Sequence, residues 1–132
     1  MKAALAVMIG GALGSLLRYA VTTWCSEKWG DALPWGTFLV NVVGSFGIGV
    51  FAAIALDEGP LIVPLEIRAL VMAGFFGGFT TFSAFSLQTL AMLQSGQWFF
   101  AAVYILASVA VCLFAVWLGF VAATAWFAAG AR

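Results

Sequence analysis

Four long apolar runs separate the few charged residues of this 132-residue chain, and they dominate what it can fold into. The runs cover residues 3–23, 35–56, 69–93 and 98–129, and Arg18 is the one charged residue inside them. A helix that crosses a bilayer needs about 20 predominantly apolar residues, so each run is long enough to span. Only 8% of the residues are charged, against about 25% in a typical soluble domain. The sequence therefore predicts an all-α integral membrane protein, a single domain (1–132) of four transmembrane helices.

The basic residues near the run ends give a weak signal for orientation. Lys2, Arg68 and Arg132 fall on one side of the predicted helical hairpins, whereas Lys28 falls on the other, with Arg18 close to it. Cytoplasmic loops normally carry an excess of Lys and Arg. A bias of three against one or two leaves two interpretations open. Either the chain inserts in both orientations, or this small bias is enough to fix one of them.

Polar or mildly polar residues form a stripe on three of the predicted helices. On the second and fourth helices the members are four residues apart, which places them on one helical face. The stripe residues are Thr37, Asn41 and Ser45 on the second helix, Tyr104, Ser108 and Cys112 on the fourth, and Thr80, Thr81, Ser83, Ser86, Gln88 and Thr89 on the third. Hydrogen bonding between helices is the more ordinary role for any one of them. Three stripes in one small protein favour an uncharged polar path for a small solute.

The third run carries a candidate helix break in its middle. Gly77 and Gly78 weaken the helix there, because each glycine costs about 1 kcal/mol relative to alanine in a helix interior. The threonines that follow can bond to freed carbonyls, and exposed carbonyls at such a break can bind a cation. Phe82 and Phe85 then share a face, and the positive edges of their rings can line a path for an anion. Ordinary packing or lipid contact is the alternative for these rings, since the chain has 13 phenylalanines.

Several function classes lack the residues they need. The chain has no histidine and no acidic residue within the four apolar runs, which argues against zinc chemistry, acid–base catalysis and proton coupling through a membrane carboxylate. An enzyme is therefore the least expected class, and no nucleic-acid partner is expected. Cys25 and Cys112 are predicted to be free thiols. Two rivals remain: a small dual-topology multidrug exporter, which would need a carboxylate in the first helix, and a non-transporting subunit packed through its glycines.

Three segments of this sequence resemble the Fluc fluoride channel family, also called CrcB. They are GGALGSLLRY at 10–19, WGTFLVNVVGSF at 35–46 and GFFGGFTTFSAFS at 74–86. The resemblance covers the whole chain, including its length and its four spans, and the third segment is the most specific.

The resemblance implies a passive and highly selective channel that exports fluoride from the cytoplasm and so reduces fluoride toxicity. It implies a multi-pass protein of the prokaryotic plasma (inner) membrane, assembled as an antiparallel, dual-topology homodimer with two pores and a mid-membrane break in each third helix. It further implies a structural sodium ion at the dimer centre, held by the backbone carbonyls of Gly77 and Thr80 from both chains.

The family's functional residues can be carried over position by position. The resemblance implies that the fluoride path is lined by Phe82, Phe85, Asn41, Thr37, Tyr104, Ser108 and Ser83, with Arg18 and Gln88 in the vestibule. Three positions depart from the family pattern: Gln88 stands where a glutamate is frequent, Cys112 where some members have serine, and Ala84 where Thr or Ser is usual. Conduction is expected to persist at a changed rate.

Overall fold

The computed structural model describes residues 1–55 and 60–130, and every regular element in that part of the chain is a helix. The elements are α1 (Lys2–Trp29), α2 (Trp35–Ala55), α3 (65–79), α4 (Phe82–Gln94) and α5 (Trp98–Gly130). The helices α3 and α4 are two halves of one span, Leu65–Gln94. The described chain thus contains four helical spans long and apolar enough to cross a membrane, which confirms the predicted all-α membrane fold.

Two of the helices extend beyond the predicted apolar runs. The first continues past residue 23 to Trp29, and the third span begins at Leu65 instead of residue 69. The extra turns carry charged residues such as Lys28 and Arg68, so a search for apolar runs does not include them. Charged residues of this kind are common where a spanning helix reaches the membrane surface. Leu56, at the predicted end of the second span, lies outside the described residues, as does Arg132.

Glycines set the distance between neighbouring helices. The helix α1 packs against α3 and α2 packs against α5. A Cβ added at Gly10 would overlap the carbonyl oxygen of Leu70, and one at Gly78 would lie 2.6 Å from the carbonyl oxygen of Gly11. Between α2 and α5, a Cβ at Gly49 would overlap the carbonyl oxygen of Val116. Backbone therefore lies directly against backbone in both helix pairs, as small residues allow in lipid.

The third span is interrupted at Thr80 and Thr81, both of which are extended, with φ/ψ of −86°/160° and −153°/119°. The predicted mid-membrane break is confirmed, but the helix continues to Phe79 through Gly77 and Gly78, the residues that were expected to weaken it. The threonines supply what a new helix end needs, because the Thr81 side chain accepts a hydrogen bond from the Ala84 amide and so caps α4. Gly78 instead allows the backbone of α3 to pack closely against α1.

Large apolar side chains cover most of the outer surface of the described chain. On α5 they include Leu106, Phe114, Trp117 and Trp126, all exposed. Lipid is the solvent that accepts such a surface. The main buried cluster lies between α4 and α5 and is formed by Phe85, Met92, Ala101 and Tyr104. This cluster fixes α4, the half-helix that follows the break, against α5.

Candidate functional site at the broken helix

A cavity of about 330 Å³ opens beside the break, where α2, α3, α4 and α5 meet. Its lining combines apolar side chains, among them three phenylalanines, with residues from the three predicted stripes: Phe76, Phe82, Phe85, Asn41, Ser45, Thr80, Thr81, Ser108 and Cys112. Side chains from three separate spans therefore converge at one point within the membrane-spanning region. Part of each predicted polar stripe faces this space, which the helical spacing alone could not establish.

The side-chain amide of Asn41 braces the break from the neighbouring helix. Its Oδ1 accepts a hydrogen bond from the Thr81 amide at 2.8 Å, and its Nδ2 donates to the Thr81 carbonyl oxygen at 3.0 Å. Both backbone groups of Thr81 are thus satisfied by one side chain, as a neighbouring strand would do in a sheet. An amide nitrogen has two hydrogens, so Asn41 keeps one N–H donor at the wall of the cavity.

The same hydrogen bonds release two backbone carbonyls from their helical partners. In a continuous helix, the Thr81 amide would bond the Gly77 carbonyl and the Ala84 amide would bond the Thr80 carbonyl. Here the Thr81 amide binds Asn41, and the Ala84 amide binds the Thr81 hydroxyl at 3.2 Å. Gly77 and Thr80 are the two residues whose carbonyls were predicted to hold a cation, and carbonyl oxygens freed in this way suit a hard cation such as sodium.

An aromatic series runs from the break towards α5. The ring centroids of Phe82 and Phe85 are 5.3 Å apart, and those of Phe85 and Tyr104 are 5.1 Å apart, with tilted planes in both pairs. Phe85 and Tyr104 are buried, whereas 76% of the Phe82 side chain is exposed in the isolated chain. Tilted rings present edges as well as faces, and the edges carry the positive part of the ring quadrupole.

The aromatic series ends at Gln88, which faces a second cavity. Tyr104 donates its hydroxyl proton to the Gln88 Oε1 at 3.2 Å. Gln88 and the buried Thr37 line a cavity of about 320 Å³ at the end of the bundle that holds the connection between α1 and α2. Glu27 and Asp31 also line this second cavity. The predicted polar track is therefore divided between two cavities, which the side chains of Phe85, Tyr104 and Gln88 connect.

Ser108 carries a buried polar atom that the described chain leaves unsatisfied. Its side chain is 6% exposed, it lines the cavity at the break, and its Oγ has no hydrogen-bond partner among residues 1–55 and 60–130. A buried hydroxyl without a partner loses about 1–3 kcal/mol of solvation, so such groups normally meet water or a ligand. One turn further along α5, the Cys112 thiol contacts the Ser45 side chain.

Three residues of the predicted set line neither cavity, and one of them, Tyr104, is the residue that connects the two cavities through Gln88. Ser83 is exposed, and its hydroxyl lies 3.2 Å from that of Thr81 at the start of α4. Arg18 lies on α1 and lines neither the cavity at the break nor the one beside Gln88. Conversely, Ser45 and Thr81 line the cavity, although they were not in the predicted set. Their membership of the polar stripes was the signal that could have included them.

These features define a class, a small integral membrane protein whose third span is broken and braced beside a largely apolar cavity with a few polar side chains in its wall. The chain belongs to the family described as CrcB-like protein, Camphor Resistance (CrcB), whose model matches residues 5–120. It is similar to a protein of Opitutus terrae, 50% identical over 117 residues, covering 89% of each chain. A protein of Paramagnetospirillum magneticum is 49% identical over 118 residues, covering 89% of this chain and 92% of that protein. A Methylocella silvestris protein is 50% identical over 119 residues, covering 90% and 91%. All three relatives bear the name Fluoride-specific ion channel FluC, and the family predicted from the three sequence segments is confirmed.

Proposed function

We propose that this protein is a passive, fluoride-selective channel in the plasma (inner) membrane of a prokaryote and has no enzymatic role. Its relatives carry the name of a fluoride-specific channel and match about nine-tenths of the chain. Hydrogen fluoride enters a cell from acid surroundings, ionises inside and is trapped as the anion. A channel that releases fluoride lowers the internal concentration and so protects the cell.

The observation that carries this proposal is the buried hydroxyl of Ser108, which has no partner among the described residues and lies in a cavity bordered by the ring of Phe85. A hydroxyl in such a position can donate to a small anion, and the second N–H of Asn41 can do the same from the opposite helix. Ring edges add a weak positive potential without a full charge. These donors would replace the water that fluoride loses as it enters.

Selectivity then follows from size and from weak binding. Fluoride is small and strongly hydrated, so it needs close donors in a narrow path, which a larger anion such as chloride cannot enter as easily. Conduction also requires that no site bind the ion too tightly to release it. A path lined by amide, hydroxyl and ring-edge donors, with Thr37, Tyr104 and Ser83 continuing it, meets both conditions. Arg18 and Gln88 would act on ions near the vestibule.

Export needs no energy source other than the membrane potential. In the described chain the acidic residues Glu27 and Glu66 lie near helix ends, and neither occupies the middle of a span. No carboxylate is therefore placed there to couple transport to protons. An inside-negative potential favours anion exit by about 2.3 kcal/mol per charge per 100 mV, which is enough to drive fluoride outward through a passive pore.

A second copy of the chain would complete the path. Phe82 is 76% exposed, although it borders the cavity at the break. A Cβ at Gly77 would meet only one atom, the Met72 carbonyl oxygen, at 3.8 Å. The open side of the break therefore has room for another chain. We expect two copies in opposite orientations, consistent with the weak charge bias, so that the Gly77 and Thr80 carbonyls of both chains surround one sodium ion. Such a dimer would contain two fluoride pores.

Removing sodium is expected to weaken this dimer. We expect a dimeric mass by light scattering in detergent, and a lower thermal unfolding temperature when N-methylglucamine replaces sodium, because four carbonyls then lose their common cation. An equal concentration of potassium tests whether the site prefers sodium. A monomeric mass, or identical unfolding temperatures in all three media, would contradict the proposed arrangement. A carboxyl-terminal tag that remains equally reachable from both sides of sealed vesicles would support opposite orientations.

The function itself is tested by anion efflux from liposomes that contain the purified protein. The vesicles are loaded with potassium fluoride or potassium chloride, a potassium ionophore is added, and release is followed with ion-selective electrodes. We expect rapid fluoride release and little chloride release, both independent of a proton gradient. Fluoride release that requires a proton gradient would favour an exporter. No release from a folded protein would favour a non-transporting subunit packed through its glycines.

A further inference from the structure

Cys112 lies at the wall of the candidate pathway, a position that the proposed function does not use. Its thiol is partly exposed, contacts Ser45 across the α2–α5 boundary and lines the cavity of about 330 Å³. The other thiol, that of Cys25, is 2% exposed. Cys25 also borders the second cavity, beside Gln88, but its low exposure makes it the less accessible of the two thiols, which provides an internal comparison.

The cavity at Cys112 is built to receive a small guest. Ser108 lies one helical turn before Cys112 on the same face of α5, and its buried hydroxyl has no partner among the described residues. An unpaired polar atom at the wall of an open cavity marks a place that water or a ligand occupies. A small neutral molecule that reaches Ser108 therefore also reaches the sulfur one turn away.

We propose that Cys112 is a thiol modification site inside the pathway, at which small, neutral, thiol-directed electrophiles bind covalently and reduce ion flow. This inference rests on the proposed function for its effect on flow, but the modification itself does not. The cavity is too small for large reagents, and a cationic reagent finds no carboxylate among its lining residues to offset the burial of its charge. A neutral reagent of a few atoms meets no such penalty.

A methanethiosulfonate reagent shows the chemistry. The Cys112 sulfur attacks the sulfenyl sulfur of methyl methanethiosulfonate, a new S–S bond forms, and the reagent's bond between sulfenyl and sulfonyl sulfurs breaks. The products are the methyl disulfide of Cys112 and methanesulfinate, which carries the electron pair of the broken bond, and the thiol proton goes to solvent. Dithiothreitol reverses the reaction by thiol–disulfide exchange.

The added methylthio group would cover part of the hydrogen-bonding wall of the cavity. It places an apolar group beside Ser45 and Ser108, where a passing anion needs hydrogen-bond donors. Because a hydrogen bond to a charged group contributes roughly a factor of ten or more to an equilibrium, masking one such donor is expected to slow fluoride efflux by about tenfold or more.

The experiment compares the wild-type protein with Cys112→Ser and Cys25→Ser in liposomes, each before and after methyl methanethiosulfonate. We expect mass spectrometry to find the adduct on Cys112 before Cys25. We also expect treated-to-untreated efflux to fall in wild type and Cys25→Ser, to recover with dithiothreitol, and to stay unchanged in Cys112→Ser. The serine variant replaces the thiol with a hydroxyl of similar size, so a difference between the two proteins reports the reaction of the thiol and not a change in side-chain volume.

Three results would overturn the inference. The first is no adduct on Cys112 in the folded protein when the denatured protein reacts. The second is a complete Cys112 adduct with unchanged efflux, and the third is equal inhibition of Cys112→Ser. If untreated protein releases no fluoride, the proposed function fails, while preferential labelling of Cys112 over Cys25 still supports the site and its absence still overturns it.

Discussion

Replacing Phe82 with alanine is expected to slow fluoride efflux by about tenfold or more while leaving the protein folded. Phe82 borders the cavity at the break, and its ring centroid lies 5.3 Å from that of Phe85. Its side chain is 76% exposed in the isolated chain, so alanine removes little packing within the subunit. The loss should therefore fall on the ion path, where a ring edge that offsets dehydration disappears.

Phe99 provides a matched control for this variant. It is 74% exposed, its ring centroid lies 5.8 Å from that of its neighbour Phe100, and it does not border the cavity at the break. Phe99→Ala removes the same atoms from a similar environment, and we expect efflux within about twofold of wild type, as for most surface changes away from a site. Equal effects of the two variants would remove the ring of Phe82 from the pathway.

Phe85 needs a gentler substitution because it is part of the buried cluster. Deleting a buried phenylalanine side chain typically costs about 3–5 kcal/mol of stability, so a loss of efflux in Phe85→Ala would be ambiguous. Phe85→Leu keeps most of the volume and removes the aromatic edge. We expect a folded protein with efflux reduced by about tenfold or more. Normal efflux in both Phe82→Ala and Phe85→Leu would refute the assigned pore.

Replacing Asn41 with leucine is expected to abolish efflux and to lower stability. The Asn41 amide satisfies both the N–H and the C=O of Thr81, so leucine leaves two backbone groups without partners inside the membrane. Each unsatisfied buried group costs about 1–3 kcal/mol, and we expect a loss of about 2 kcal/mol or more in the free energy of unfolding. Thermal unfolding in detergent measures the stability, and the liposome assay measures the fluoride efflux.

Asn41→Asp separates bracing of the break from binding of the ion. An ionised aspartate can accept from the Thr81 amide but opposes the Thr81 carbonyl, whereas a protonated one offers an acceptor and a donor, as asparagine does. Stability of the aspartate variant should therefore rise as the pH is lowered. Val43→Ala, on the exposed side of α2, is the control and should show no such pH response. A pH-independent aspartate variant with normal stability would contradict the bracing role.

Local sequence patterns predicted a break in the third span but not its exact position. Glycine is the residue that weakens a helix in isolation, so the sequence indicated Gly77 and Gly78. The chain instead breaks at Thr80 and Thr81, because Asn41, 40 residues away in sequence, satisfies the backbone of Thr81. A hydrogen bond between residues so far apart in sequence produces no repeating pattern along the chain. The break could therefore be located only in the folded structure.

For the site residues, too, part of the arrangement was predictable from the sequence and part required the structure. Helical spacing placed Asn41 and Ser45 on one face and Ser108 and Cys112 on another, and the structure brings both faces to one cavity. Spacing did not reveal that Thr37 and Gln88 line a second cavity, or that Tyr104 connects the two through Gln88. The assignment of these residues to fluoride stays a prediction, which the efflux experiments test.

The sequence by itself determined that this protein is a four-helix membrane protein with polar stripes and closely packed glycines. These properties follow from apolar run length, charge spacing and helical period, which are local along the chain. The tertiary structure decided where the third span breaks, which carbonyls lose their helical partners, and which buried polar atom has no partner within residues 1–55 and 60–130. Those outcomes depend on side chains from different spans meeting in a medium without water, where each backbone group must find a partner within the protein.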